Sequence, residues 1–278
     1  MSAEAAERDN HLVADRIVNP FVGDEAAALY RRGRLHHHEQ AIAAVLKMVG
    51  GRRAGRALDL GCGTGLSTTA LAAMADFAVG LDAAPAMVGI ATSETGMSCV
   101  VALAETTPFR DSSFDAVTVA STFHWVDQER LFEESRRLLR SGGWLAIYDH
   151  GLVGLEKRPD FINWVKDVYL IRYPAPFRGA GFGPRSEMPA GFRSIGHATY
   201  EDPREMTCEQ FVGYHLSQSI ALMGTKARGE TVAAARAWLE TELSQFIPAD
   251  TTSSARFVGS VSCLALCDDD SSARIRGP

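Results

Sequence analysis

Three glycines at alternate positions, Gly61, Gly63 and Gly65, follow the apolar run Ala57-Leu58-Asp59-Leu60 and lead into a stretch with helical spacing. Glycine lets the backbone turn sharply and lets a ligand approach without meeting a Cβ. A strand, a glycine turn and a helix in this order form a binding turn at the carboxyl end of a parallel sheet. The spacing departs from the dinucleotide pattern G-x-G-x-x-G, because the sixth place holds Leu66 and the third glycine comes one residue early. Asp59 before the turn disfavours a diphosphate and favours a ligand bearing an ammonium group. Some twenty residues on, the apolar run Val79-Gly80-Leu81 ends in Asp82. A carboxylate at that place can accept hydrogen bonds from both hydroxyls of a ribose.

Two histidines are candidates for proton handling. His124 follows the apolar run 114–121 and His150 closes the run 144–149. An unperturbed imidazole titrates near ~6.5, so either can accept a proton at neutral pH. Each also has a structural reading, His124 as a brace for the loop or a wall for the ligand, and His150, for which that reading is favoured, in an unspecified structural role. His36, His37 and His38 are consecutive. Residues ~100° apart on a helix cannot all face one ion, so a solvated or substrate-facing segment is expected and no metal site. The five cysteines form no C-x-x-C pair, and Cys263 and Cys267 are read as core thiols on one strand face.

The elements that must position these groups follow from periodicity. Strands are expected at 56–60, 77–81, 98–103, 114–121 and 144–149, with helices at 65–75, 85–93 and 128–140 between them. Such alternation builds a parallel sheet covered on both faces. Residues 25–48 read as two helical segments joined near Gly33. Beyond His150 the alternation stops: 159–172 is an amphipathic helix, 173–192 a long loop, 193–200 and 257–266 strands, and 207–224 and 229–246 helices. The loop is expected to be a lid that offers Phe177, Phe182 and Phe192 to a substrate. The organisation is then an N-terminal helical cap (1–50), a Rossmann-like core (51–150), an insertion or lid (151–192), C-terminal strands with cap helices (193–268) and a disordered tail (269–278).

The 278 residues carry a net charge of −6 and a hydrophobic share of 46%. The charge argues against a nucleic-acid partner. No apolar run approaches the ~20 residues of a membrane span, and Met1 to Asp15 is polar, unlike a secretory signal. A cytoplasmic protein, monomeric or homodimeric and without membrane contact, is expected.

The segments ALDLGCGTG, GLDAAPAM, AETTPFRDSSFDAVTVASTFHWVD and LLRSGGWLAIYDH together resemble the class I methyltransferases that use S-adenosylmethionine (SAM). The nearer resemblance is to their small-molecule branch, in which a His-Trp dipeptide follows the fourth strand. It implies an α/β fold with a doubly wound Rossmann-like sheet of seven strands, the last antiparallel, and a helical cap. It implies that Gly61, Cys62, Gly63 and Gly65 surround the methionine part of SAM, with Asp59 facing its ammonium. Asp82 would hold the ribose, Ala83 and Met87 would border the adenine, and Ala104 and Glu105 would flank its edge. Relatives often have an Asp at the place of Leu103; here a backbone carbonyl or Glu105 would have to replace its contact to the adenine amino group. Ser121 would lie beneath the sulfonium, Trp125 would wall the pocket, and Tyr30 and Arg34 match part of an N-terminal motif that binds the SAM carboxylate. His124 and His150 would serve a small-molecule acceptor at an O, N or C atom. Rival readings are a SAM-binding protein without methyl transfer, an NAD(P)-dependent oxidoreductase, and a nucleic-acid methyltransferase. The last lacks its Asn/Asp-Pro-Pro-aromatic motif, because Phe123-His124-Trp125 stands there.

Overall fold

Strands with apolar residues on both faces must be covered on both faces, and the central strands meet this condition. In β1 (Ala54–Leu60) the residues from Ala57 to Leu60 are all buried, and β4 (Phe114–Ala120) is buried over nearly its whole length. The computed structural model describes residues 18–267. The segment Met1 to Asp15 and the tail 269–278, with neighbouring Asp268, lie outside the described residues.

The seven strands pair in the order β3-β2-β1-β4-β5-β7-β6, with β2 at Ala75–Asp82, β3 at Ser98–Val101, β5 at Leu139–Leu155, β6 at Phe192–Thr207 and β7 at Thr252–Leu266. The pairs among β1 to β5 are parallel, and β7 runs antiparallel to both β5 and β6. The expected doubly wound sheet with one reversed strand is therefore observed. From β1 the chain builds outward through β2 and β3, then returns to add β4 on the other side. That reversal creates the crevice at the carboxyl ends of β1 and β4 where such sheets bind ligands.

Helices cover both faces. On one face α2 (His38–Met48) and α3 (Leu66–Ala72) bury Ala41, Ile42, Val45 and Leu71 against Ala57, Ala116 and Trp144. On the other, α5 (Gln128–Leu138) buries Leu131 and Leu138 against Leu58, Val117 and Leu145. The remaining early helices are α1 (Asp24–Gly33) and α4 (Pro85–Thr95). At Gly33, its last residue, helix α1 crosses another helix so closely that a Cβ would come 2.1 Å from the Gly213 carbonyl oxygen.

The three C-terminal strands are longer than expected. The β5–β7 ladder continues to Leu155 and Ala255, and the β6–β7 ladder to Thr207 and Thr252. This extension outruns the parallel strands and carries a second core. Helix 161–172 (α6), which loosens into a wide π-turn at Val165–Tyr169, packs with α7 (Cys208–Leu216) and α9 (Val232–Leu243). Phe161, Trp164, Tyr169, Phe211, Leu239 and Phe246 meet Leu155, Ala255 and Phe257 in it. Helix α8 (Ser219–Arg228) follows a break at Ser217 and Gln218 that the sequence reading, with one helix over 207–224, did not contain. Two further corrections concern side chains. Cys267 lies past the end of β7 and is exposed, whereas Cys263 is buried. His37 and His38 are buried rather than solvated or substrate-facing: the His37 ring stacks on His150, and His38 Nδ1 lies 3.2 Å from the Tyr148 hydroxyl. Burial depresses both imidazoles, His38 to about 3, so they remain neutral.

Asp59 sits where β1 is flanked by Gly80 of β2 and Thr118 of β4. Its carboxylate is fully buried and accepts hydrogen bonds from Ser67 Oγ at 2.5 Å, Thr68 Oγ1 at 2.8 Å and Thr118 Oγ1 at 2.9 Å. Burial pushes its pKa up to about 6, and the three donors oppose that rise. An unfolded aspartate ionises lower, so between the two values the folded state holds a proton that the unfolded state has released. Asp59 therefore favours folding in acid, and that contribution is lost as pH rises through about 6. We expect the stability of the wild type relative to Asp59→Asn to fall by about 2–3 kcal/mol between pH 4 and pH 7.5. Denaturant unfolding of both proteins across that range checks it, and a pH-independent difference contradicts it.

Candidate functional site

A cavity of about 970 Å³ opens at the carboxyl ends of β1, β2, β4 and β5, between the sheet and the cap. Its size is at the upper end of the ~300–1,000 Å³ usual for ligand sites, so it can take more than one small molecule.

The glycine turn forms its floor. The amides of Gly61 and Cys62 both donate to the Leu81 carbonyl, which ties the turn to the end of β2. Gly61 has φ +72°, and a Cβ there would fall 2.3 Å from Thr122 Cγ2. Only glycine lets the β1 turn and the β4 turn approach this closely. Asp82 closes the same corner: its Oδ2 accepts from the Gly63 amide at 2.9 Å and its Oδ1 from the Ala84 amide at 2.8 Å. Burial raises its pKa, while the two amides oppose the rise. Each oxygen keeps acceptor capacity toward the cavity.

Of the residues expected to hold a cofactor, Tyr30, Arg34, Gly61, Gly63, Asp82, Ala83, Met87, Ala104, Glu105 and Ser121 line this one cavity. Three do not. Asp59 points into the sheet, so the expectation that it faces an ammonium group is corrected; it organises the turn from below. Cys62 is buried, with its Sγ in the space beside Gly80. Gly65 caps α3 with φ +86°, and a Cβ there would press on Ala91 and Thr95 of α4. It packs helices rather than ligand. Glu105 Oε1 accepts from the Asp127 amide, which secures the turn before α5.

The two histidines separate. The His150 ring is sandwiched between His37 at 3.9 Å and Phe257 at 5.0 Å, and its Nε2 lies 3.1 Å from Asp202 Oδ2. The side chains of the pair are 3% and 4% exposed. His150 also borders the cavity, but its ring is packed and its side chain nearly inaccessible, which favours a structural role over proton handling. His124 does face the cavity, on the single 3-10 turn Phe123–Trp125, with Nδ1 3.8 Å from Asp149 Oδ2. Burial lowers its pKa despite the opposing Asp149 charge, so the ring is neutral and able to accept a proton at pH 7.

Asp149 was not identified from the sequence. Its Oδ1 accepts from Ser121 Oγ and from the His150 amide, each at 2.8 Å, which leaves Oδ2 toward His124. Ser121 itself is left-handed, with φ +49°, a costly backbone for a residue with a Cβ and one concentrated at functional sites. Arg178, Tyr169, Tyr214 and Gln218 from the cap also line the cavity and were likewise missed. The long loop from Tyr173 to Gly191 does lack regular structure, but its aromatics are not substrate contacts. Phe182 packs on Phe123 and Phe132, Phe192 is buried at the start of β6, and Phe177 is not part of the cavity wall. The loop is pinned at the Gly179 amide by the His124 carbonyl and at the Ala180 carbonyl by Gln128.

A family profile described as "Methyltransferase domain" matches residues 58–147, the span from β1 into β5. An uncharacterized methyltransferase of Mycobacterium tuberculosis is 36% identical over 144 residues, 51% of this chain and 55% of that protein. The chain thus spans about half the length of the mycobacterial relatives it matches. The uncharacterized methyltransferase YcgJ of Bacillus subtilis is 30% identical over 183 residues, 63% of this chain and 70% of YcgJ. Among solved structures, a candidate type II methyltransferase from Anaeromyxobacter dehalogenans shares the fold, with a TM-score of 0.62 at 23% identity, covering 81% of this chain and 95% of that one. The chain belongs to the methyltransferase-domain family.

The His150–Asp202 pair gives a direct test of the structural assignment. His150→Ala should lower stability by about 1–3 kcal/mol, from the lost stack on His37 and Phe257 and the lost hydrogen bond, since Asp202 keeps Gln40 and Arg204 as partners. Denaturant unfolding measures it, and a loss below 1 kcal/mol contradicts the packed role.

Proposed function

We propose that this chain is a SAM-dependent methyltransferase acting on a small molecule. The observation that carries the proposal is the Asp82 carboxylate, fixed by the Gly63 and Ala84 amides beside a turn whose cavity-lining residues, Gly61 and Gly63, have no Cβ, at the wall of a cavity of about 970 Å³. The donor set suits SAM in two further respects. Arg34, held over the Tyr30 ring at 4.7 Å, has a buried Nε without a partner and no carboxylate within ion-pair reach among the described residues, so it can take the carboxylate of SAM. Asp82 retains acceptor sites for ribose hydroxyls, and Met87, Ala83 and Ala104 supply apolar walls for a base. When bound, SAM supplies a methyl group on a sulfonium, already primed for displacement.

The chain's own residues then have three tasks. The walls from the cap exclude water and align the acceptor, which is most of what such a displacement needs. The strained turn at Ser121 brings its Oγ to Asp149, and Asp149 in turn faces His124. His124 Nε2 receives the proton of an acceptor hydroxyl or amine, and the Asp149 carboxylate offsets the resulting charge on the ring. With its pKa depressed by burial, the His124 base is available throughout the neutral range, so activity rises with pH only through the acid limb and then levels off.

Two measurements test this reading. Asp82→Ala should weaken SAM binding by roughly tenfold to several hundredfold, from loss of charge-assisted hydrogen bonds worth ~1.5–3 kcal/mol each. Unchanged affinity by calorimetry in a folded variant would falsify the ribose assignment. His124→Ala should lower kcat by ~10²–10⁴ and abolish the acid limb while sparing SAM affinity. If SAM affinity falls instead and turnover recovers at saturation, His124 is a wall of the cofactor site.

A further inference from the structure

The cap side of the cavity holds an unusual set of unspent hydrogen-bond donors. Arg178 reaches in from the 173–191 loop, its guanidinium 5.1 Å from the Trp125 ring centroid and one terminal nitrogen on Ser219 Oγ. Its Nε is buried without a partner, and no carboxylate among the described residues lies within 4.0 Å of it. The Tyr169 hydroxyl, on a residue only 3% exposed, is likewise unpartnered, and so is the Gln218 amide nitrogen. All three side chains line the same cavity. Asp149, Arg34 and Tyr214 also act on Arg178 electrostatically, and burial lowers its pKa from the ordinary arginine value. An arginine stays charged under such a shift.

A buried cation beside two idle donors is costly unless something supplies acceptors. A ligand carboxylate offers acceptors only, about four lone-pair sites, and pairs with a guanidinium through charge-assisted bonds. Phe161, Ile162, Val165 and Leu152 give the cavity an apolar stretch of wall, alongside the polar groups of Tyr214 and His215. We propose that Arg178, with the Tyr169 hydroxyl and the Gln218 amide, binds a carboxylate of the methyl acceptor, so that the acceptor is an organic acid with an apolar body. The proposal rests on the methyl-transfer reading of the cavity and deepens it. Arg34 serves the cofactor's carboxylate and Arg178 the acceptor's, which explains why one cavity contains two arginines without carboxylate partners. Ring stacking on Trp125 and the bond to Ser219 hold the guanidinium in place before the ligand arrives.

Binding of probe acids by the full chain tests this. Calorimetry with benzoate, phenylacetate and decanoate, each against its primary amide, is run with saturating S-adenosylhomocysteine. At least one acid should bind tenfold or more tightly than its amide. Arg178→Gln should remove that preference and keep S-adenosylhomocysteine affinity within about twofold, and Arg178→Lys should restore part of it. Arg34→Gln should do the reverse, weakening S-adenosylhomocysteine and sparing the acid. The inference is overturned if no acid outbinds its amide, or if Arg178→Gln weakens S-adenosylhomocysteine and leaves the acids unaffected. Acid binding that depends on Arg178 in a wild type that fails to bind S-adenosylhomocysteine keeps the anion site and removes the methyltransferase reading. Unfolding midpoints for each variant exclude a general loss of structure.

Discussion

The Asp59 carboxylate lies at the junction of three elements, and the geometry of the cavity floor depends on it. Ser67 and Thr68 of the first turn of α3 donate to one of its oxygens and Thr118 of β4 to the other. The strand before the glycine turn, the helix after it and the neighbouring strand are thereby fixed to one buried group. Gly80 on β2 makes room for this arrangement: a Cβ there would come within 2.8 Å of both Cys62 Sγ and Thr68 Oγ1. With the two ends of the turn held, its amides have one path, up to the Leu81 carbonyl and across to Asp82. The cofactor side of the cavity is in this sense preorganised from underneath.

A second tier of restraint runs through β4 and β5. The left-handed turn at Ser121 is held by its amide on the Tyr148 carbonyl and by its Oγ on Asp149. Strain of this kind persists only where neighbours over-determine the backbone. Here the neighbours also aim Asp149 at His124, so the cost of the turn and the orientation of that carboxylate have one origin. The buried His150–Asp202 pair, stacked with His37 and Phe257, ties β5 to β6 beside it.

The parts of this arrangement that were legible in the sequence are those set by local backbone rules. Alternating glycines after an apolar run, an acid at the end of the next strand and the strand–helix alternation specify a turn and a sheet before any tertiary contact is known. Asp59 misled because it was read as the end of its strand. In the structure it is still paired on both sides, within a run of buried residues, and so faces inward. His37 and His38 misled because polar residues are expected outside, and their burial depends on a stack with His150 and a contact with Tyr148 that no spacing reveals. Arg178, Tyr169 and Gln218 were out of reach for a different reason. They come from a loop, a helix and a helix break whose meeting is decided by the path of the cap, not by any periodicity along the chain.

The long β5–β6–β7 extension divides the cavity into two halves of different construction. The family likeness covers 58–147 and stops just before β5 leaves the parallel sheet. Tyr169 and Tyr214, which line the other half, belong to a separate aromatic core built on the overhang. Substitutions there can reshape the acceptor's room while the glycine turn and Asp82 remain undisturbed, since the two cores share few side chains. A scaffold with this division can diversify its choice of acceptor by drift in one module, at constant cofactor chemistry in the other.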